Sequence, residues 1–252
     1  MTEEPLALTR YKFILEYDGG PFAGWQRQAD ALSVQEALER AAEAIDGAPV
    51  VMWGAGRTDA GVHALGQVAH ADFTKALPPG KMRDAMNAHL RPHPIAVLSA
   101  EVVNADFNAR FDARERRYLY RMIDRRPHLT VSRGRIWRIP QKLDAELMHS
   151  AAQVLVGLHD FSTFRDAQCQ AKSPVKTLDE ISVARVGDEV HVRCVAQSFL
   201  HRQVRSIVGS LAEVGRGKQD VSYIAKILAE ARREACGPVA PPDGLYLTDV
   251  IY

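Results

Sequence analysis

Cysteine is scarce in this chain, and long apolar runs are absent. The 252 residues include three cysteines, which are widely spaced and form no CxxC pair. The sequence therefore gives no sign of a disulfide framework or a zinc site, and it fits a reducing compartment. No apolar run approaches the length of a membrane span. Residues 1–5 are acidic and lack the apolar core of a signal peptide, so we predict a cytoplasmic protein without a membrane segment.

Several common enzyme motifs are missing as well. The glycine-rich segment 54–63 has neither the spacing of a dinucleotide fingerprint nor the lysine of a P-loop. His89 and His93 are spaced like two metal ligands on a helix, but Pro92 and Pro94 interrupt that helix. A G-x-S-x-G nucleophile turn does not occur. These absences leave no candidate metal motif.

Charge is balanced overall but unevenly distributed. The net charge is +1, whereas residues 110–138 contain ten arginines, no lysine and three acids. Guanidinium groups pair with phosphate through two parallel hydrogen bonds, which favours a nucleic-acid partner for this segment. A solvated protein surface is the alternative, and the charge pattern alone leaves both open.

The most informative segment is the loop Gly54-Ala-Gly-Arg-Thr-Asp-Ala-Gly-Val-His63. It contains three glycines and lies between predicted strands at 50–53 and 67–73, so it is longer than a hairpin requires. Asp59 lies two residues after Arg57 and four before His63. A carboxylate held beside an arginine stays ionised and oriented, which suits a nucleophile or a base. A turn-capping role for Asp59 is the alternative, because aspartate favours turns for local reasons.

Two tyrosines in the second half are candidates for a binding surface. Tyr118 and Tyr120 lie two residues apart on a predicted strand, so they share one face, while Arg117 and Arg121 share the other. Both tyrosine rings could belong to the core, or one could line a cleft and stack on a nucleobase. The spacing does not decide between these interpretations.

A predicted helix at 198–214 adds two arginines. Its buried stripe is predicted to consist of Leu200, Val204, Ile207, Val208 and Leu211. Arg202 and Arg205 lie three residues apart, and Arg205 is next to the apolar stripe. A buried arginine is costly unless an anion pairs with it, and Asp59 is a candidate partner.

The predicted elements follow a β-α-β-β-α-β order twice. In the first half we predict strands at 11–17, where residues alternate, and at 50–53, 67–73 and 95–103, with helices at 34–45, opened by a Ser33–Glu36 capping box, and at 79–90. In the second half we predict strands at 117–123, 181–186, 190–195 and 245–251, with helices at 143–156, 198–214 and 220–231. The strands at 181–186 and 190–195 are predicted to form a hairpin around Gly187-Asp188. The order predicts an α+β fold of two ferredoxin-like halves, residues 1–106 and 107–252, each an antiparallel sheet with helices on one face.

Seven motifs that occur in order along the chain resemble those of the tRNA pseudouridine synthase A family. They are Tyr17-Asp-Gly-Gly with Gly24-Trp-Gln-Arg-Gln28, Ser33-Val-Gln-Glu-Ala-Leu38, Gly56-Arg-Thr-Asp-Ala-Gly-Val-His63, Arg117-Tyr-x-Tyr120, Asp160-Phe-Ser-x-Phe-Arg165, Phe199-Leu200 with Val204-Arg205, and Gly244-Leu-Tyr-Leu247. The Gly-Arg-Thr-Asp-Ala-Gly core is highly specific to this family and its close relatives. Gln203 departs from the family, whose members often have methionine there.

The resemblance implies a role for each matching residue. Asp59 matches the catalytic aspartate, and Arg57 matches an arginine that holds the place of the target nucleotide in the helix. Tyr118 matches the active-site tyrosine that stacks on the target ring. Arg205 matches the arginine that pairs with the catalytic carboxylate, and Leu245 matches an apolar residue near the base. We also predict that His63 and Arg202 contribute to substrate binding.

The resemblance also implies an isomerase that converts uridine to pseudouridine at positions 38–40 of the tRNA anticodon arm. Family members are homodimers of two-domain subunits, have an active-site cleft between the domains and need no metal or cofactor. Whether Asp59 attacks ribose C1′, attacks uracil C6 or acts as a base remains open. A non-catalytic RNA-binding protein and a nucleoside or sugar hydrolase are the alternative functions, although glycosidases usually need two carboxylates where this motif offers one.

Overall fold

The computed structural model describes residues 8–252, so the acidic N-terminal residues 1–5 lie outside the described part. The chain divides into two compact units. The first ends at Arg114 and also includes Leu247–Tyr252, and the second is Glu115–Tyr246. Both contain helices and mainly antiparallel strands, which confirms the predicted α+β class. Among residues 8–252, no helix is both long enough and apolar enough to cross a bilayer.

The first unit has the predicted β-α-β-β-α-β order. Its elements are β1 (Thr9–Tyr17), α1 (Val34–Asp46), β2 (Trp53–Gly54), β3 (His63–Phe73), α2 (Pro79–Leu90) and β4 (Ile95–Val102). Strand β1 lies between β4 and β3 and is antiparallel to both, and the short β2 pairs with β3. This arrangement is the strand order of a ferredoxin-like sheet.

Alternation along β1 builds the core of the first unit. Tyr11, Phe13 and Leu15 are fully buried, and Tyr17 is nearly so. The N-terminus of α1 has the predicted cap, because the Ser33 hydroxyl accepts a hydrogen bond from the Glu36 amide at 3.1 Å. Apolar side chains of both helices are also fully buried, among them Leu38, Met82 and Met86.

The second unit repeats the order with additions. Its elements are β5 (Glu115–Asp124), β6 (Trp137–Ile139), α3 (Ala145–Ala152), β7 (Gly157–Asp160), β8 (Val175–Leu178), β9 (Glu180–Val186), β10 (Glu189–Ala196), α4 (Gln203–Gly215), α5 (Tyr223–Glu230) and the start of β11 (Leu245–Ile251). Strand β10 pairs antiparallel with β5 and β9, as the hairpin prediction requires. Three short strands were not predicted: β6 is parallel to β5, and β7 and β8 form a separate pair.

The last strand, β11, begins in the second unit and ends in the first. Within the first unit its backbone lies against β3, where a Cβ on Gly66 would be 2.2 Å from the carbonyl oxygen of Thr248. The Arg114 amide donates to the Ile251 carbonyl at 2.8 Å. The end of the chain therefore supplies part of the first unit.

The predicted strand at 50–53 is wrong for residues 50–52. The amide of Met52 donates to Glu39 Oε1 at 3.2 Å, and its carbonyl accepts from Gln35 Nε2 at 3.1 Å. Side chains of α1 therefore satisfy the backbone groups that a strand would use. Only Trp53–Gly54 pair with β3.

The predicted helix at 198–214 begins too early. Arg202 has φ 59° and ψ 9°, a left-handed conformation, and the first helical residue is Gln203. The Gln203 side chain accepts a hydrogen bond from the Leu200 amide at 2.8 Å, which fixes the turn before the helix. Leu200 is buried as predicted, but it lies outside the helix. The helix predicted at 143–156 is similarly shorter, because α3 ends at Ala152 and continues as a 3-10 turn, Gln153–Leu155.

Candidate active site

The loop between β2 and β3 carries Asp59 in a defined turn. Asp59 is half-buried, Arg57 is exposed and Thr58, which lies between them, is buried. The Val62 amide donates to the Asp59 carbonyl at 3.1 Å and closes a turn around the carboxylate-bearing residue. The turn offers one face of the loop to solvent and packs the other into the first unit.

Two glycines of the segment after β1 allow this packing. A Cβ on Gly19 would lie 2.0 Å from the Val62 carbonyl oxygen, and one on Gly24 would lie 2.7 Å from the Thr58 carbonyl oxygen. Gly24 also has φ +96°, which side-chain-bearing residues rarely adopt. The Trp25 amide donates to the same Thr58 carbonyl at 3.0 Å. The first motif of the family resemblance thus supports the backbone of the Asp59 loop.

A buried hydrogen-bond cluster lies beneath the loop. The Tyr17 hydroxyl is 2.8 Å from Thr58 Oγ1. Gln67 on β3 donates through Nε2 to the Gly56 carbonyl at 2.8 Å and to the Tyr17 hydroxyl at 3.4 Å. Sequence reasoning did not single out Gln67, because its partners are more than ten residues away along the chain.

His63 lies at the end of the loop and is buried. Its Nδ1 accepts a hydrogen bond from the Gly19 amide at 3.1 Å and lies 3.2 Å from Asp18 Oδ1. The side chain is 3% exposed. His63 thus ties the loop to the turn after β1, and its contact with the substrate stays a prediction.

In the second unit, Tyr118 and Tyr120 share one face of β5, as their spacing predicts. Tyr120 is fully buried and donates to the Pro241 carbonyl at 2.7 Å, and burial raises its pKa well above the ordinary value. Tyr118 is 9% exposed, and its ring packs edge-to-face on Phe199 with a centroid distance of 5.1 Å. Tyr120 is therefore a core residue, and Tyr118 lies at the margin of the core.

Arg205 and Arg202 lie near the N-terminus of α4 but have different surroundings. Arg205 is half-buried and donates through Nε to the Ala240 carbonyl at 2.9 Å, while the Ala240 amide donates to the Arg205 carbonyl at 3.0 Å. Arg202 donates through Nη1 to Asp166 Oδ2 at 2.9 Å. The prediction that both lie on the helix is wrong for Arg202, which precedes the first helical residue.

Asp166 is a charged residue that sequence reasoning missed. Burial alone would raise its pKa, but the Gln168 amide and the charges of Arg202, His201 and Arg233 together lower it. It directly follows the Asp160-Phe-Ser-x-Phe-Arg165 motif, which was the available signal. The ionised carboxylate anchors Arg202, whose part in substrate binding stays a prediction.

Leu245 begins β11 and is 6% exposed. The residue before it packs closely on β5, where a Cβ on Gly244 would lie 2.6 Å from the Arg121 carbonyl oxygen and 2.7 Å from the Tyr120 ring. After it, Tyr246 donates to the Arg135 carbonyl at 2.6 Å. Leu245 is thus held between two fixed neighbours.

The arginine-rich segment is only partly a solvent-exposed surface. Arg121 forms an ion pair with Glu189 at 2.6 Å, Arg116 is buried and donates to the Gln197 carbonyl, and Arg138 donates to the Arg126 carbonyl at 2.7 Å. The seven exposed arginines of the ten are Arg110, Arg114, Arg117, Arg125, Arg126, Arg133 and Arg135.

In residues 8–252 no group of three or more histidine, cysteine or acidic side chains could hold a metal ion.

Comparison with known proteins identifies the same family as the sequence motifs. The family model described as tRNA pseudouridine synthase matches residues 14–112 and 151–252. The tRNA pseudouridine synthase A of Maricaulis maris (strain MCS10) is 64% identical over 97% of this chain and 98% of its own. The proteins of that name from Rhodopseudomonas palustris (strain BisB18) and Nitrobacter winogradskyi are 60% and 59% identical over 97% of this chain, and the matches cover 100% and 96% of their own lengths. The chain belongs to the tRNA pseudouridine synthase family.

Proposed function

We propose that this protein isomerises uridine to pseudouridine at positions 38–40 of the tRNA anticodon arm, with Asp59 as its nucleophile or base. The observation that carries the proposal is the half-buried Asp59 in a loop whose backbone is fixed from beneath. The family of the chain supports the reaction type, which is an isomerisation, and the relatives' name supports tRNA as the substrate.

The reaction moves one bond and one proton. The N1–C1′ glycosidic bond breaks, the uracil turns, a C5–C1′ bond forms, C5 loses its proton and N1 gains one. No atom is added to the substrate or removed from it. Water must be kept from the separated intermediate, because a hydrolysed glycosidic bond would release free uracil.

Asp59 is suited to the first of these steps by its fixed position. Its carboxylate can attack C1′, attack C6 of the uracil, or remove a proton from the sugar. Effective catalysis by any of these routes requires the reacting atoms to be held at near-contact distance. The turn closed between Asp59 and Val62 supports such a fixed direction.

We propose that Tyr118 and Leu245 hold the target base and that Tyr118 removes the C5 proton, directly or through water. Tyr118 lies at the margin of the core, and its ring is held by the edge-to-face contact with Phe199. These features support a ring on which the target base can stack. The target base must first leave its stack, at a cost of a few kcal/mol.

We propose further that Arg205 pairs with the Asp59 carboxylate and that Arg57 holds the place of the extruded nucleotide. The Nε bond of Arg205 to Ala240 fixes the plane of its guanidinium group, and the exposure of Arg57 leaves it accessible to RNA. The exposed arginines of residues 110–138 are proposed to bind the tRNA backbone.

The cellular setting is also a proposal. Because its substrate class is tRNA, we infer that the protein acts in the cytoplasm, and by family likeness that it forms a homodimer. Sedimentation of the full chain at micromolar concentration, with and without tRNA, tests the second inference. A species with the mass of one chain at all concentrations would contradict it.

Tritium release from tRNA that contains 5-tritiated uridine tests the reaction. We expect the wild-type protein to release tritium and Asp59→Asn to release none while it binds tRNA nearly as well. Asp84→Asn, which changes an exposed carboxylate on α2, is the matched control and should behave as wild type. Substantial release by Asp59→Asn would contradict the role of Asp59. Free uracil as the product would favour a hydrolase, and binding without release would favour an RNA-binding protein.

Pseudouridine mapping identifies the modified positions. The tRNA of a strain that lacks the gene should have unmodified uridines at positions 38–40, and the purified protein should convert them in vitro. Conversion at other positions alone would contradict the proposed site in the anticodon arm.

A further inference from the structure

We propose that Tyr17, Thr58 and Gln67 are positioning residues that fix the direction of the Asp59 carboxylate. The inference rests on the proposed function, because it assigns these three residues a part in the reaction at Asp59. None of them needs to touch the substrate, since each acts through the backbone of the loop.

The three side chains hold the loop just before Asp59. Gln67 binds the carbonyl of Gly56, three residues before Asp59, and Tyr17 binds the side chain of Thr58, the residue next to it. The backbone carbonyl of Thr58 is bound from the other side by the Trp25 amide. Asp59 thus follows a residue whose side chain and carbonyl are both anchored, so its own direction is set by the cluster.

The chemistry of the groups fixes one direction within the cluster. An amide nitrogen can only donate, so Gln67 Nε2 donates to the Tyr17 oxygen, while the Tyr17 and Thr58 hydroxyls share a second hydrogen bond. Burial raises the pKa of Tyr17 to about 12, so its hydroxyl stays protonated across the neutral range. The hydrogen bonds of the cluster therefore persist near neutral pH.

The burial of Gln67 argues for a role beyond stability. It is fully buried on β3, and its Oε1 has no hydrogen-bond partner within the part of the chain that the structure describes. A buried polar atom without a partner destabilises a fold, and an apolar side chain of similar size would fill the position without that penalty. The glutamine provides two hydrogen bonds that an apolar residue could not make, one to the Gly56 carbonyl in the loop and one to the Tyr17 hydroxyl.

The local sheet geometry favours the same interpretation. The β1–β3 register shifts between Leu15, which pairs with Gln67, and Tyr17, which pairs with Ala64. Such an irregularity redirects the side chains beside it. Here it lies where Tyr17 and Gln67 both reach the loop.

Tyr11 provides a matched control for Tyr17. It lies on the same strand and is equally buried, but its hydroxyl binds the amide and the carbonyl of Leu77, ahead of α2. Tyr17→Phe and Tyr11→Phe each remove one phenolic hydroxyl from the same core. A merely structural role would give both variants the same phenotype.

The experiment compares single-turnover rates of pseudouridine formation with tRNA fully bound. We expect Tyr17→Phe to lower the rate constant roughly tenfold or more, because small misplacements of a reacting group are costly. Its tRNA dissociation constant should change by less than about twofold. Tyr11→Phe should keep the wild-type rate constant. A wild-type rate constant for Tyr17→Phe, in a preparation whose wild-type enzyme is active, would overturn this inference and leave the proposed function intact.

Variants of Thr58 keep the inference testable if Tyr17→Phe folds poorly. Thr58→Ser retains the hydroxyl and should retain the rate constant, whereas Thr58→Val should lower the rate constant as Tyr17→Phe does. The double variant Tyr17→Phe/Thr58→Val should be no slower than Tyr17→Phe alone, because Tyr17→Phe already removes the hydrogen bond that Thr58→Val removes. The inference would be overturned if the loss of rate in the double variant were the product of the two single losses. A slow Thr58→Ser enzyme would overturn it as well.

Hydrogen exchange provides a readout that is independent of activity. We expect faster exchange of the amides in residues 54–63 in Tyr17→Phe and unchanged exchange there in Tyr11→Phe. Unchanged exchange in both variants would show that the cluster does not hold the loop. A wild-type protein that releases no tritium would instead overturn the proposed function.

Discussion

The carboxylate of Asp124 and the guanidinium group of Arg185 form a two-bond ion pair inside the second unit, with N–O distances of 3.0 and 2.7 Å. Asp124 also accepts from the Leu143 amide at 2.9 Å, just ahead of α3. The carboxylate is almost completely buried, and Arg185 is partly exposed. The pair joins the end of β5 to β9, and the Leu143 hydrogen bond ties the same carboxylate to the start of α3.

Asp124→Asn should lower the free energy of unfolding by about 2–3 kcal/mol, because it leaves Arg185 without its charged partner. Urea unfolding at pH 7 measures the change. Asp30→Asn, on an exposed loop, is the control and should leave the unfolding midpoint unchanged. An equal midpoint for Asp124→Asn would show that the pair does not stabilise the fold.

The effect of Asp124 should depend on pH. Burial alone would raise its pKa, but Arg185, the Leu143 amide and Lys142 lower it below the ordinary value. The folded-state pKa is thus below that of the unfolded chain, about 3.9. The stabilisation is present above that unfolded value and is lost as the pH falls through the folded value. The gap in urea midpoint between wild type and Asp124→Asn should therefore narrow below about pH 4. A gap that widens in acid would contradict the assignment.

Tyr118→Phe should bind tRNA as wild type does and lose tritium release, because it keeps the ring and removes the proposed base. Tyr223→Phe on α5 is the control for loss of a phenolic hydroxyl. Wild-type turnover by Tyr118→Phe would remove the base role and leave the stacking role in place. Loss of tRNA binding would instead show that the hydroxyl contributes to recognition.

Binding of tRNA should weaken steeply with salt, and the exposed Arg125 and Arg126 should contribute to the slope. The variant with both changed to alanine should bind less tightly, with a salt slope reduced by up to about two phosphate contacts. Filter binding at several salt concentrations measures this. Arg83→Ala on α2 is the control, since that guanidinium pairs with Asp84 in the first unit. Equal slopes for all three proteins would contradict a role for the two arginines in binding phosphate.

Gly19→Ala should displace the Asp59 loop, because a Cβ there would meet the Val62 carbonyl oxygen at 2.0 Å. We expect loss of tritium release together with a lower melting temperature. Gly80→Ala on α2, where a Cβ meets nothing within 4 Å, should have neither effect. An active Gly19→Ala enzyme would show that the loop tolerates a shift.

Local patterns were sufficient for elements whose stabilising groups are near in sequence. The Ser33 cap predicted the start of α1, and alternation predicted β1 and the β9–β10 hairpin. The segment 50–52 is a short apolar run like that of a buried strand, yet the backbone of Met52 bonds to Gln35 and Glu39 of α1 instead of to a strand. No pattern within that segment indicates such a competitor.

The candidate site shows the same limit. Asp59 stands out because its glycines and arginine lie within a few residues of it. Gln67 and Asp166 do not, because their importance comes from hydrogen bonds to residues that are distant in the chain. The left-handed backbone of Arg202 was also hidden, since few non-glycine residues adopt it and nothing in the sequence marks the position.

The position of β11 has a consequence for biosynthesis. The first unit needs Leu247–Tyr252, which leave the ribosome after all of Glu115–Tyr246. Its sheet therefore closes by a contact of high sequence separation, which slows folding because the long intervening chain must first be brought together. While the chain is still being translated, the second unit has all its residues before the first does, the reverse of the usual N-terminal-first order.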